Sequence, residues 1–230
     1  MTLDEHWAAK GSEAPWLVLA ADEARVASLL GSILAEAGLS ATFLHAHGTH
    51  VTRHLTPPLE VESAVSAVDS QTPVDVWVVL ADQAALDLTH HLEPHASLVL
   101  ETTLPTAEHP PRVSAYQRVR HACLYPSFDP AVRTLVEEAE VIDGARAVGL
   151  TFGAPGPSDV GLVENVVVDR AFHATRAVEA IELFALADLQ EILAPAQLST
   201  RDVLQAMAAA ALARSVGASP EAVLAGLRTS

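Results

Sequence analysis

Short apolar runs alternate with longer segments of helical periodicity through the first two-thirds of the chain. Residues 76–80, Val-Trp-Val-Val-Leu, form a continuous apolar run, which is typical of a central parallel strand buried on both faces. Residues 26–37 show helical periodicity and predict a helix that stops at Gly38. The same criteria predict strands at 16–19, 41–45, 74–80, 97–100, 147–152 and 163–168, and helices at 26–37, 60–70, 83–91, 114–122, 130–140, 204–216 and 220–228. This alternation predicts an α/β fold of three layers, with a mostly parallel sheet covered on both faces.

The pattern changes around residues 149–169, where shorter apolar runs are separated by glycines and prolines. This segment predicts a small β-rich annex at about residues 145–170. A length of 230 residues is that of one fairly large domain. We therefore divide the chain into an N-terminal extension, residues 1–13, and one domain, residues 14–230.

The junction between the first predicted strand and the first predicted helix lacks the groups that bind phosphate. In α/β nucleotide-binding folds, glycines at this junction let backbone N–H groups surround a phosphate, a lysine reaches it, and a Ser or Thr hydroxyl holds Mg²⁺. Residues 20–26 contain no glycine and no lysine, and Val26 stands where a hydroxyl is expected. Asp22 and Glu23 place two negative charges where an anion would bind. The sequence thus predicts the architecture of a nucleotide site without its chemistry.

Charge and composition exclude several classes of partner. A net charge of −16 argues against nucleic acid and anionic membranes, because nothing neutralises their phosphates. The chain has no apolar run of about 18 residues, so we expect no membrane-spanning helix. The acidic start lacks the basic segment of a signal peptide, which predicts a soluble cytoplasmic protein. The single cysteine, Cys123, excludes an internal disulfide, and with only His121 beside it we expect a buried, inert thiol.

Clustered histidines offer an alternative chemistry. The candidate metal ligands are His45, His47, His50, His54, His91 and His95. The pairs at 50/54 and 91/95 have the i, i+4 spacing with which two imidazoles on one helix face bind one metal ion. In this topology both segments are expected at or beyond the carboxyl ends of strands, the usual ligand edge of such sheets. No cysteine accompanies them, and a high-GC codon bias with solvated loops explains these histidines about as well.

Several segments of the second half occur in a fixed order. They are Phe128-Asp129-Pro130, the Gly-rich turn at 144–153, Gly161-Leu162-Val163, and residues 182–189, 206–214 and 217–228. With this order the chain resembles, from about Ala14 to its end, the central ATP-binding domain of Mur ligases, and within that family the members that add D-glutamate to UDP-N-acetylmuramoyl-L-alanine. The resemblance implies a three-layer α/β fold of the P-loop type.

The resemblance also implies where the family's phosphate-binding and metal-binding groups fall. The P-loop, Gly-Thr-Asn-Gly-Lys-Thr-Thr, falls without a gap on Ala21, Asp22, Glu23, Ala24, Arg25, Val26 and Ala27. Both glycines, the lysine and the Mg²⁺-binding hydroxyl are therefore replaced. Arg25 is either a substitute for the lysine or a solvated residue paired with a neighbouring carboxylate.

Other catalytic positions change as well. The metal-binding glutamate falls on Leu80, the Glu-Asp-His segment falls near Leu104-Pro105-Thr106, the lysine that becomes carbamylated falls on Arg120, and the adenine-contacting asparagine falls near Gln205. An arginine cannot be carbamylated, and leucine cannot bind a metal. Loss of these groups across separate segments predicts that catalysis has been abandoned rather than altered at one step.

We therefore expect a catalytically inactive Mur-ligase-like domain that acts as a protein-binding or scaffold module, linked to peptidoglycan synthesis. No cofactor and no ATP are expected, and the partner is another protein or a second copy. The family's N-terminal UDP-binding domain and C-terminal ligase domain are expected to be absent, which would bare the face near residues 81–86 and 102–111 and the C-terminal helix pair. Two alternatives stay open, an ATP-dependent ligase subunit completed by separate chains and a histidine-rich metal-binding protein.

Overall fold

The computed structural model describes residues 14–20, 23–47, 50–55, 74–82, 85–86, 89, 92–101, 113–193 and 198–230. Its strands are β1 (Trp16–Ala20), β2 (Ala41–His47), β3 (His50–Leu55), β4 (Val76–Ala81), β5 (Ala96–Leu98), β6 (Ala122–Pro126), β7 (Arg146–Thr151), β8 (Val160–Val163), β9 (Val166–Asp169) and β10 (Ile181–Ala185). Its α-helices are α1 (Ala24–Glu36), α2 (Pro130–Glu137), α3 (Leu186–Leu193), α4 (Thr200–Ser215) and α5 (Pro220–Arg228), and a 3₁₀ helix spans Val113–Tyr116.

The ten strands of the described residues form one sheet in the order β10-β9-β8-β7-β6-β5-β1-β4-β2-β3. The pairs from β2 through β8 in this order are parallel, whereas β3, β9 and β10 add antiparallel edges. Because β1 lies between β4 and β5, its carboxyl end is at the centre of the sheet edge where open α/β folds bind ligands. The predicted α/β fold with a mostly parallel sheet is confirmed.

Successive side chains along each strand point to opposite faces of the sheet, so the core is divided between two layers. Leu17 and Leu19 of β1 pack with α1, α4 and α5, while Trp16 and Val18 face the opposite layer. On that second face Trp16 stacks on Trp77 of β4, with ring centroids 5.0 Å apart. The second layer also contains α2 and the 3₁₀ helix, so the molecule has the three predicted layers.

Two predicted elements are wrong. The predicted helix at 114–122 is only the 3₁₀ helix, and the apolar residues after it form β6, which fills the sheet between β5 and β7. The hydroxyl of Tyr116 donates a 2.7 Å hydrogen bond to the carbonyl of Leu124 and fixes this turn against the strand. The predicted strand at 163–168 is instead the β8–β9 hairpin, which reverses at Glu164 with a φ of 54°.

Other elements were missed or lie outside the described residues. The strands β3 and β10 and the helix α3 were not predicted. The predicted helix at 60–70 and most of that at 83–91 lie outside the described residues. The segment at 145–170 is β-rich, as predicted, and its strands β7, β8 and β9 continue the main sheet toward its edge.

A buried ion pair anchors the end of the β8–β9 hairpin to helix α4. The guanidinium Nε of Arg214 donates to Asp169 Oδ2 at 2.9 Å, and both side chains are almost fully buried. The other oxygen of Asp169 accepts the backbone N–H groups of Ala171 and Phe172 at 2.6 and 2.9 Å. The sequence Asp169-Arg170 is thus part of a structural turn.

We predict that Gly226→Ala strongly destabilises the fold. A Cβ at this position would lie 2.3 Å from the Cα of Ile33 and 2.6 Å from its N, and a helix backbone cannot rotate away. Overpacking of cores typically costs about 1–3 kcal/mol, and we expect the upper end here. Urea denaturation measures the change. The matched control is Gly153→Ala, whose added Cβ would meet its nearest atom at 3.9 Å, and equal stability of the two variants would contradict the prediction.

Candidate functional site

The junction of β1 and α1 carries core residues where a nucleotide site needs polar groups. The helix begins at Ala24 with Glu23 as its N-cap residue, and the backbone carbonyl of Glu23 accepts the N–H of Ala27 at 3.0 Å. Val26 is fully buried in the core, so its position cannot present a metal ligand to the cleft. The predicted equivalents Ala21 and Asp22 lie outside the described residues.

The carboxylate of Glu23 is buried at this junction and contacts α4. The residue is 4% exposed, and its side chain makes no capping hydrogen bond to the first turn of α1. Its Oε1 accepts from Arg201 Nη2 at 3.3 Å, and its Oε2 accepts from Gln205 Nε2 at 3.2 Å. A negative charge of the protein itself therefore occupies the region where the family resemblance places phosphate.

Arg201 connects three segments that meet at the carboxyl edge of the sheet. Its second nitrogen, Nη1, pairs with Glu101, which follows β5. The helix that carries Arg201 begins with a capping box, in which Ser199 and Asp202 exchange side-chain and backbone hydrogen bonds. Hydrogen bonds from Ser199 hold the pKa of Asp202 below its ordinary value, and the nearby charge of Arg25 adds to this effect.

The remaining predicted positions at this edge are apolar or undescribed. Leu80, on which the resemblance places the metal-binding glutamate, is 4% exposed and packs in the same core as α1. Asp82, two residues later, accepts the N–H of Ala85 at 2.8 Å and serves a local turn. Arg25 is exposed on the first turn of α1. Thr106 lies outside the described residues.

Arg120, on which the family's carbamylated lysine falls, does not lie at this edge. Its N–H donates to the carbonyl of Pro94, and it precedes β6, which places it at the amino ends of the parallel strands. Its guanidinium pairs with Glu93, as does that of Arg118, and both arginines lower the pKa of the Glu93 carboxyl.

The candidate metal-binding histidines of the described residues lie on different elements. His45 and His47 lie on β2, near its carboxyl end, but His50 and His54 lie on β3, so the helix spacing assumed for them is absent. His95 precedes β5 and lies at the amino edge, where its Nε2 is 2.8 Å from the carbonyl of Ser215. His91 lies outside the described residues. Within the described residues no group of three or more metal-binding side chains is found.

At the amino edge a chain of rings joins several elements. His95 stacks on His121 with centroids 4.7 Å apart, His121 contacts Phe172 at 6.0 Å, and the guanidinium of Arg146 lies over Phe172 at 5.8 Å. Burial lowers the pKa of His121, and the charges of His95 and Arg176 lower it further.

The Phe128-Asp129-Pro130 segment and Cys123 have structural roles. Asp129 is the N-cap of α2, and its Oδ1 accepts the N–H groups of Ala131 and Val132 at 2.9 and 3.2 Å. Cys123 is buried on β6, and burial raises the pKa of its thiol to about 12. A thiol with this pKa is a poor nucleophile at neutral pH, in agreement with the inert thiol expected from the sequence.

Sequence reasoning missed Arg201 and the aromatic pair Phe128/Phe152. The capping-box pattern Ser199-x-x-Asp202 would have started the late helix at residue 200 instead of 204, with an arginine in its first turn. Phe128 and Phe152 follow β6 and β7, contact each other with centroids 5.2 Å apart, and are 54% and 37% exposed. The sequence offered little signal for this pair, because no strand was predicted before Phe128 and Phe152 is the last residue of the predicted strand at 147–152.

Comparison with solved structures defines the fold first. E. coli FolC, solved in complex with DHPP and ADP, superposes with a TM-score of 0.61 at 16% sequence identity, over 96% of this chain and 57% of that chain. This likeness shows that the chain shares the α/β fold of that part of FolC. No protein-family model matches the chain. Among the described residues no helix is long and apolar enough to span a membrane.

Comparison with curated proteins then finds homologues in sequence. The UDP-N-acetylmuramoylalanine--D-glutamate ligase of Streptomyces avermitilis is 34% identical over 233 residues, which cover 96% of this chain and 46% of the ligase. The enzyme of the same name from Streptomyces coelicolor is 32% identical over 225 residues, which cover 94% of this chain and 44% of the ligase. The chain is therefore a homologue of the Mur ligases, and it spans about half the length of the curated relatives it matches.

We predict that acid pH destabilises the protein through His121. The pKa of this imidazole is lower in the folded protein than its ordinary value of about 6.5, so the unfolded chain binds more protons near that pH. The free energy of unfolding should therefore rise with pH up to the ordinary histidine pKa of about 6.5. As pH falls from that value through the lower pKa of the folded state, this contribution to stability should be lost. Urea denaturation at pH 7.5 and 5.5 tests this, and His121→Phe should reduce the difference between the two values. An unchanged difference in that variant would contradict the prediction.

Proposed function

We propose that this chain is a non-catalytic Mur-ligase-like domain that acts as a protein-binding module in peptidoglycan synthesis. The observation that carries the proposal is the buried carboxylate of Glu23, held by Arg201 and Gln205 beside the first turn of α1. The position at which the family binds phosphate is thus filled by an acidic side chain of the domain itself. A second carboxylate, that of Glu101, pairs with the same arginine.

Electrostatics supports the proposed loss of nucleotide binding. A negative charge brought to about 4 Å from a carboxylate costs roughly 4 kcal/mol at an effective dielectric constant of about 20. The cation that would offset this cost, Arg201, is already shared between Glu23 and Glu101. A triphosphate would therefore have to compete with two carboxylates of the domain for one guanidinium.

The apolar residues at the metal positions support the same proposal. Phosphoryl transfer depends on positioned phosphates and on a metal ion that neutralises the developing charge. Val26 and Leu80 are buried side chains without a donor atom at two positions where the family resemblance places metal ligands. When several groups act as one catalytic unit, reintroducing a single one of them does not restore catalysis.

The relatives favour a second candidate function, an ATP-dependent ligase subunit completed by separate chains. The curated homologues carry the name of a ligase, and the structural neighbour FolC was solved with ADP. This candidate requires that the wild-type chain bind a nucleotide. The first proposal requires that it does not, so one binding measurement separates them.

An exposed aromatic pair provides the surface for the proposed protein contact. Phe128 and Phe152 lie together at the carboxyl ends of β6 and β7. The loop that presents Phe128 is fixed, because Asp129 caps α2 and Arg133 Nη2 donates to the carbonyl of Ser127 at 2.5 Å. Pre-organised aromatic residues at such positions are the usual anchors of protein interfaces. The C-terminal helix pair proposed from the sequence is less suitable, because residues 203–213 of α4 are buried.

The occupant proposed for this surface is a second copy of the chain. One patch that contacts itself across a two-fold axis closes a dimer without any other surface. Burial of a phenylalanine contributes about 1.5–3 kcal/mol, so two rings from each copy supply a substantial driving force. The net charge of −16 opposes association, but exposed charges are screened beyond about 8 Å at physiological ionic strength.

We predict that the wild-type protein gives no binding heat with millimolar Mg-ATP or Mg-ADP in titration calorimetry. The buried Glu23 and the apolar Val26 and Leu80 leave neither phosphate nor Mg²⁺ a favourable partner. E. coli FolC, which was solved with ADP, serves as the positive control under the same conditions. A micromolar dissociation constant for the wild-type chain would overturn the proposal and select the ligase subunit.

We predict that the protein is a dimer at micromolar concentration and that Phe128→Ser combined with Phe152→Ser makes it a monomer. The substitutions remove both apolar rings of the pair without changing the net charge. Multi-angle light scattering measures the mass. Val178→Ser is the control, because Val178 is 82% exposed and lies outside the pair. A wild-type monomer, or an equal effect of the control, would contradict the assignment of this surface.

A further inference from the structure

We propose that the Glu23 side chain is an internal ligand, and that its truncation opens a site for a small carboxylate or phosphate anion between α1 and α4. This inference deepens the proposed function, on which it rests for the view that no nucleotide occupies the site. The contacts that define it are those of Glu23 with Arg201 and Gln205.

The burial of Glu23 is what makes it a ligand rather than a surface ion pair. At 4% exposure its carboxylate has lost nearly all of its water, and the two donors from α4 replace part of that solvation. A buried charge without its partner is strongly destabilising, so these donors matter for stability. The pair of Arg201 with Glu101 differs, because Glu101 is 64% exposed and exposed pairs contribute little.

The contact also joins segments that are distant in sequence. Glu23 precedes α1, and its two donors stand 178 and 182 residues later on α4. The same guanidinium reaches Glu101 after β5, so one cation holds the first helix, the late helix and the end of a central strand. An anion at this point therefore stabilises the arrangement of all three segments.

Truncation of Glu23 to alanine removes a fragment with the composition of acetate. The Cγ and the carboxylate are lost, and the donors on Arg201 and Gln205 are left facing the vacated space. Because both donors remain on α4, free acetate can restore the hydrogen bonds and the charge of the lost group. Inorganic phosphate, a larger anion, tests whether the same donors accept a phosphate when the carboxylate is gone.

The experiment compares the wild type with Glu23→Ala, Glu23→Gln and Glu101→Ala by urea denaturation at pH 7. Each is measured in sodium chloride, sodium acetate and sodium phosphate at equal ionic strength. We expect Glu23→Ala to raise the unfolding equilibrium constant by about 10- to 100-fold in chloride, because a buried charge pair is broken but Arg201 is half-exposed. Acetate at ten times its dissociation constant should recover about 10-fold of this loss.

The other variants keep the test specific. Glu23→Gln fills the space without the charge, so it should be destabilised but not rescued by acetate. Glu101→Ala removes the exposed partner of the same arginine and should show little loss and no rescue. If Glu23→Ala does not fold in chloride but folds in acetate or phosphate, the inference is supported. If it folds in neither, the Glu23→Gln measurement decides.

Several results would overturn the inference. The first two are a free energy of unfolding equal to that of the wild type in Glu23→Gln or in Glu23→Ala. The third is a stabilisation by acetate that is of equal size in all four proteins. Rescue by phosphate as well as acetate would show that the donors still accept phosphate, whereas rescue by acetate alone would limit the site to carboxylates. The calorimetric titration of the wild type with Mg-ATP is independent, so nucleotide binding would remove the proposed function even where rescue of Glu23→Ala succeeds.

Discussion

The close packing of three helices on one face of the sheet determines where every group of the candidate site lies. Gly226 of α5 sits against the backbone of α1 at Ile33, where no side chain fits. The mostly small residues at 203–213 of α4 let that helix pack into the core beside α1. Because protein interiors are close-packed, these contacts fix the position of α4 relative to α1 and the sheet. That position brings its first turn, and with it Arg201, to the end of β1, so the ion pair with Glu23 follows from packing elsewhere.

The two edges of the sheet use positive charge in different ways. At the amino edge the arginines serve the polypeptide itself. Arg170 donates to the carbonyls of Pro155, Arg176 and Ala177. Arg214 donates to the buried carboxylate of Asp169 and to two backbone carbonyls. At the carboxyl edge Arg201 is shared between two acidic side chains. Arg170, Arg214 and Arg201 are therefore each matched by acceptors of the same chain.

The sequence predicted the fold well, because hydrophobic period and strand–helix alternation are local signals. It failed where local and tertiary preferences disagree. Residues 114–122 have a composition that suits a helix, but Tyr116 is fixed against β6 and the chain that follows is needed between β5 and β7. The site was only half predictable for a related reason. The absent phosphate-binding groups can be read from residues 21–27, whereas the partner of Glu23 is 178 residues away and depends on how α4 packs.

A tethered carboxylate has a physical advantage over any diffusing anion at the same position. The N-terminus of α1 and the guanidinium of Arg201 create a positive potential that favours a negative group. A free anion loses translational and rotational freedom on binding, whereas Glu23 has already been positioned by folding. Its effective concentration is therefore high, and a competing phosphate must displace it as well as bind. In the proposed non-catalytic domain, selection no longer has to keep the family's phosphate and metal ligands, and the apolar residues Val26 and Leu80 at those positions add to the core.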